Sequence, residues 1–229
     1  MTLTALFLGP FLLAQATDPE KVTLVRKVSR GDTFSFSLRT DYEIGEVKGT
    51  SLATVTDRVL GVDDEGNVSI ESKGTQGKTI LNGVERQSSD SSYTTVTDKR
   101  NLILTVFGDR LGSDGMRFSR LMMVVFPAEP VVLGGSWVAE IPSDPGRTLP
   151  GLKLTYTLLA RETVEGLKSV KISAKSREEG DGSPPSAEGT FWLEEATGVL
   201  VKSEARLLNI PLGSRRFNAK VTQVRRPAP

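Results

Sequence analysis

FSFSLRTDYEI, Phe34 to Ile44, alternates two kinds of residue. Phe34, Phe36, Leu38, Thr40, Tyr42 and Ile44 fall on one register, and Ser35, Ser37, Arg39, Asp41 and Glu43 on the other. Successive side chains of an extended strand point to opposite faces, so this period of two reads as a long strand with one buried face. The pattern returns at Leu154, Tyr156 and Leu158, at Val170, Ile172 and Ala174, and at Val199, Val201, Ala205 and Leu207. One-sided strands of this kind suit antiparallel sheet with a wet outer face.

Turn chemistry separates the strands. Asp63-Asp64-Glu65-Gly66-Asn67, Asn82-Gly83, Glu165-Gly166 and Thr197-Gly198 each supply a glycine where a hairpin must reverse through positive φ. Arg177 to Ala187 (REEGDGSPPSA) reads as a mobile hairpin loop. One stretch has the helical period: Phe118, Leu121, Met122 and Val125 at i, i+3, i+4 and i+7, with Ser113 and Asp114 ahead of them as caps. A single helix is predicted over roughly Asp114 to Val124, with Val124-Val125-Phe126 equally readable as strand.

Beyond it lies FPAEPVVLGGSW, Phe126 to Trp137. Pro127 ends what precedes it, and Pro130 denies a backbone donor, so the segment is a crossing or an edge. Gly134-Gly135 turns into a strand carrying Trp137 and Ile141, much as Gly31-Asp32 opens the strand carrying Phe34. The offset of about one hundred residues persists at Gly66 and Gly166 and at the turns that follow. The expected fold is therefore mainly β: a curved antiparallel sheet or open barrel with one short helix, built as two duplicated β-meanders, residues 31–125 and 134–225. Both lie within one β domain, residues 17–229.

The first residues carry a different message. Leu3 to Leu13 is mostly apolar and Ala14-Gln15-Ala16 is an A-x-A cleavage pattern, so residues 1–16 read as a signal peptide, although no Lys or Arg follows Met1. The expected location is exported, periplasmic or extracellular. No segment is long enough for a transmembrane helix. There is no cysteine, so a lipid-anchoring cysteine and disulfides are excluded, and stability must come from a core that 229 residues can supply. Lys plus Arg number 29 against 28 Asp plus Glu, interspersed, with no basic stripe for nucleic acid.

Histidine is absent too, which removes histidine triads and histidine metal sites. Glu194-Glu195 are adjacent and so point to opposite faces of a strand. The acidic run at Asp63 lacks the alternating ligands of a calcium loop. Gly74-Thr75-Gln76-Gly77-Lys78-Thr79 imitates a phosphate loop but has Ser72 where a glycine is required, and reads as a turn. No catalytic residue, metal ligand or cofactor is assigned, and the chain reads as no enzyme; a carboxylate-dependent hydrolase is the distant third reading.

FPAEPVVLGGSW, the hairpin at Val164-Glu165-Gly166 and GTFWLEEATGVLVKSEA together resemble a family of exported bacterial all-β proteins, a domain of unknown function. Its pattern ends in a hairpin of the form Asp-x-x-Thr-Gly-x-Leu, and Ala196 stands near the aspartate position. More distantly the chain is similar to envelope lipoprotein and lipid carriers with a β half-barrel. That resemblance implies a curved sheet and a hydrophobic or acyl ligand, and no catalytic residues. Aromatics on one sheet face fill a core or line a groove. Phe34, Phe36, Leu38, Trp137 and Tyr156 are the candidate ligand-lining residues. The leading expectation is an exported binding or carrier module, its partner a hydrophobic ligand or an envelope protein. The alternative is a structural or interaction protein of the envelope with a filled core.

Overall fold

A computed structural model describes residues 20–108 and 113–227. The predicted signal peptide, residues 1–16, lies outside the described residues. The alternation at Phe34 becomes β2 (Thr33–Ile44), which a two-residue turn at Gly45-Glu46 joins to β3 (Val47–Val62). Then come β4 (Val68–Leu81), β5 (Val84–Gln87), β6 (Ser91–Thr97) and β7 (Ile103–Phe107). After α1 (Ser113–Met122) the chain makes β9 (Ser136–Ile141), β10 (Leu152–Val164), β11 (Leu167–Glu178), β12 (Ser186–Glu194), β13 (Leu200–Leu212) and β14 (Arg215–Arg225).

These twelve strands form one antiparallel sheet that does not close. Its order is β7-β6-β4-β3-β2-β14-β13-β12-β11-β10-β9, with β5 beside the far end of β4. The two meanders thus sit side by side. Their seam pairs β14 with β2, for example Val221 with Thr40. A separate two-stranded ladder joins β1 (Lys21–Val22) to β8 (Val131–Val132), inside the proline-bracketed segment that was expected to cross or edge the sheet. Among the described residues α1 is the one α-helix, and no helix is long and apolar enough to cross a membrane.

The turns follow their glycines. Asn82-Gly83 and Glu165-Gly166 place both central residues at positive φ, the geometry whose twist matches paired strands. At the Asp63 turn, the Asp63 Oδ1 accepts from the backbone N–H of Glu65 (3.0 Å) and of Asn67 (2.8 Å). The Thr197-Gly198 hairpin takes its carboxylate from Glu194, which accepts from Thr197 Oγ1 at 2.7 Å and leaves Ala196 no such role. Two expectations need correction. Gly74 to Thr79 is no turn but lies within β4, where Gln76 bulges at φ 53°. In REEGDGSPPSA only residues 179–185 are loop, because Arg177 and Glu178 complete β11 and Ser186 and Ala187 open β12.

The helix stops at Met122 and Val124 to Phe126 are neither helix nor strand. This strap, Met123 to Phe126, is nonetheless buried, at 1–7% exposure. Buried backbone polar groups need partners, and here side chains supply them. Tyr156 Oη donates to the Met123 carbonyl and accepts from the Val125 N–H, both at 3.0 Å. Asn101 Nδ2 donates to the Val124 carbonyl (2.9 Å) and Trp137 Nε1 to the Val125 carbonyl (2.8 Å). Arg100 exchanges two bonds with Phe126, through its backbone carbonyl (2.7 Å) and its Nε (2.9 Å). The strap therefore links the turn before edge strand β7 to edge strand β9 where the sheet stays open.

Candidate functional site

The helix docks on one half of the sheet only. Arg117 forms an ion pair with Glu178 of β11, which is 3% exposed, and Arg120 Nη1 reaches the Pro150 carbonyl at 3.1 Å. Ser176 Oγ donates to the Leu121 carbonyl at the last turn (2.8 Å). Bulky inward residues of β10 to β12, such as Leu154, Tyr156, Ile172 and Phe191, then fill the space beneath the helix and strap. No residue of β2 to β7 joins the fully buried part of that cluster.

Over β2 to β7 the inward face mixes aromatics such as Phe36 with small and polar residues, and α1 stands off. Between them runs a groove of about 430 Å³. Leu38, Val55 and Ile70 form its floor, and Phe118 and Met122 of α1 its opposite wall. One polar row crosses it. The strand register lines up Phe34 of β2, Asp57 of β3, Ser72 of β4 and Tyr93 of β6 across the sheet. Ser72 Oγ, itself buried, donates to Asp57 Oδ1 at 2.6 Å.

Arg26 enters from the N-terminal segment. That segment is anchored by Val22 and Leu24 in the core and by a Lys27 N–H to Thr197 carbonyl bond of 2.9 Å. Burial pushes the Arg26 guanidinium down to about 10, with the negative Asp57 opposing, so it stays protonated near neutral pH. Burial holds the Asp57 carboxyl above its usual value, against the Ser72 bond and the Arg26 charge. The Tyr93 phenol is raised by burial and by the neighbouring Asp57. Two residues of the lining carry a buried polar atom with no hydrogen-bond partner, Arg26 at Nε and Thr97 at Oγ1.

The five sequence-predicted lining residues separate. Leu38 stands in the groove floor. Phe34 is half-buried under Arg225, whose guanidinium lies 4.7 Å from the ring centroid. Phe36 is 1% exposed, inside the first half of the sheet. Trp137 is half-buried and packs against the main core, and Tyr156 is fully buried within it. Their rings stack at 5.1 Å between centroids, and both are committed to the strap. Arg26, Asp57, Ser72, Tyr93 and Thr97 were not singled out from sequence. Counting back from the Gly45-Glu46 turn pairs Asp57 with Phe34, and that register was the available signal. Compared with protein-family models and with curated proteins, the chain matches none.

Proposed function

We propose that this protein is an exported, non-enzymatic binding or carrier module that holds a hydrophobic or acyl ligand between α1 and strands β2, β3, β4, β6 and β7. One observation carries the reading: the groove of about 430 Å³, lined by Leu38, Val55, Ile70, Phe118 and Met122 and crossed by one polar row. That volume falls within the roughly 300–1,000 Å³ typical of small-molecule sites, which combine apolar walls with a few placed polar groups. Met122 and Met123 in its lining are unbranched and adaptable, which suits a flexible chain. The resemblance to envelope half-barrel carriers supports the same reading.

The test is titration of the native protein with the uncharged apolar fluorophore N-phenyl-1-naphthylamine. Saturable binding is expected, abolished by Met122→Trp, which fills the groove. A native protein that does not bind the fluorophore would favour the alternative, a structural or interaction protein of the envelope. The packed half of the molecule supports that alternative, since strands β9 to β13 and the strap are filled by the chain's own side chains. Export belongs to the same proposal, and amino-terminal sequencing of the protein from its host should begin at or near Thr17.

A further inference from the structure

The strand register orders the groove floor row by row. Leu38 lies opposite Ala53, Val55 is two residues further along β3, and Asp57 two further again. Asp57 pairs with Ser72, and Ser72 with Tyr93. Past that row, Ile70 pairs with Thr95, and Thr97 pairs with Ile103. Residues two apart on a strand share a face, and all of these except Ala53 line the groove. The groove thus runs diagonally across the sheet. Its polar row lies between two apolar stretches, Leu38 with Val55 on one side and Ile70 with Ile103 on the other.

The row holds hydrogen-bonding capacity in reserve. Ser72 Oγ donates to one oxygen of Asp57 at 2.6 Å, and among the described residues no other hydrogen bond reaches that carboxyl. Asp57 and Tyr93 are only half-buried, so water still reaches them. A ligand that displaces this water loses affinity unless it replaces the hydrogen bonds. A run of methylenes cannot do so. A hydroxyl can, whichever state Asp57 is in, because it donates to a carboxylate and accepts from a carboxylic acid.

We infer that this groove selects chains carrying a hydroxyl near the middle, seated on the Asp57–Ser72–Tyr93 row with an apolar arm on each side. The inference rests on the carrier reading above and narrows its ligand class to hydroxylated acyl or alkyl chains. One arm lies over Leu38 and Val55 and the other over Ile70 and Ile103, with Phe118 and Met122 of α1 opposite. A terminal hydroxyl can reach Gln223, which pairs with Leu38, but its chain then covers the row with methylenes.

Displacement of N-phenyl-1-naphthylamine by positional isomers tests it. Dodecan-1-ol and dodecan-6-ol have the same composition and no charge, so only the place of the hydroxyl differs. Dodecan-6-ol should compete about 3- to 10-fold better, the worth of one hydrogen bond, with the intermediate isomers rising toward it. The double variant Arg26→Met/Asp57→Leu removes the acid together with the cation that opposes it, so neither charge is left unpaired. It should still bind the fluorophore and should bind both isomers alike. Asp57→Asn keeps a donor and an acceptor and should keep the preference. Dodecan-1-ol competing as well as dodecan-6-ol for the native protein overturns the assignment while the groove reading stands. That comparison needs no variant, so it decides even if the double variant does not fold. A folded double variant that keeps the preference also overturns the assignment, because the row is then not its source. A native protein that does not bind the fluorophore overturns both readings.

Discussion

Strands β9–β14 and strands β2–β7 are written in the same alternating pattern and are covered to different extents. Tyr156, Leu158, Val170, Ile172, Val201 and Leu207 are all 0% exposed. The inward face of the other half is mixed: Phe36 and Val59 are 1% exposed, whereas Leu38, Val55, Ile70 and Thr95 are half-buried. Both halves can pair their strands, so the difference does not lie in the ladder. It lies in the one-sided attachment of α1 through Arg117 and Ser176. A sheet face stays open where the helix that would cover it is anchored elsewhere.

Truncating one core residue in each half tests that contrast most severely. Tyr156→Ala should cost about 3–5 kcal/mol, as large buried aromatics do. Leu38→Ala should cost about 1 kcal/mol, because its side chain already borders empty space. Denaturant midpoints with an unchanged slope measure both, and equal losses would break the comparison. Arg117→Met comes next. It strands Glu178 as a buried unpaired carboxylate and should cost about 3 kcal/mol, much of it recovered in the double variant Arg117→Met/Glu178→Leu. No recovery would mean that the helix is held by something other than this pair.

Tyr156→Phe sharpens the role of the strap. Losing one hydroxyl leaves the Met123 carbonyl and the Val125 N–H without a partner, at about 1–3 kcal/mol in unfolding experiments. Met122→Trp, by contrast, should stay within about 1 kcal/mol of the parent while closing the groove, since it fills space rather than displacing core. A large destabilisation would show that the groove region is already packed.

The smallest effect is electrostatic. Burial raises Asp57 above its ordinary 3.8, so the folded state binds this proton more tightly than the unfolded chain. The stability linked to the protonated form is present below that value and is lost as pH rises through the raised folded pKa. The difference in stability between the parent and Asp57→Asn should therefore fall as pH increases upward from about 3.8, then level off. Asp41, Asp63 and Glu204, all held below their usual values, slope the other way but are common to both proteins. A difference that grows with pH would mean that the Arg26 charge outweighs burial.

The groove was only partly legible beforehand. Leu38 was in reach because its alternation with Ser37 and Arg39 is local. Phe36, Trp137 and Tyr156 were correctly placed on an inward face, but that face alone does not tell a packed residue from a lining one. Glu178 shows the same limit. In REEGDGSPPSA it looked like one loop acid among several, and only the approach of Arg117 from 61 residues away makes it a buried anchor.

What the sequence determined by itself was everything that depends on near neighbours: strand and helix identity, set by periods of two and of three to four residues, and the reversals, set by glycines that tolerate positive φ. Those preferences act over a few residues and survive in any surroundings. The tertiary structure alone decided that β14 pairs with β2, that the strap is hydrogen-bonded by Tyr156, Trp137 and Asn101, and that α1 leaves one half of the sheet open. It also brought Arg26 to Asp57. These are contacts between segments far apart in the chain. They depend on how well whole surfaces fit, and no short window of sequence records that fit.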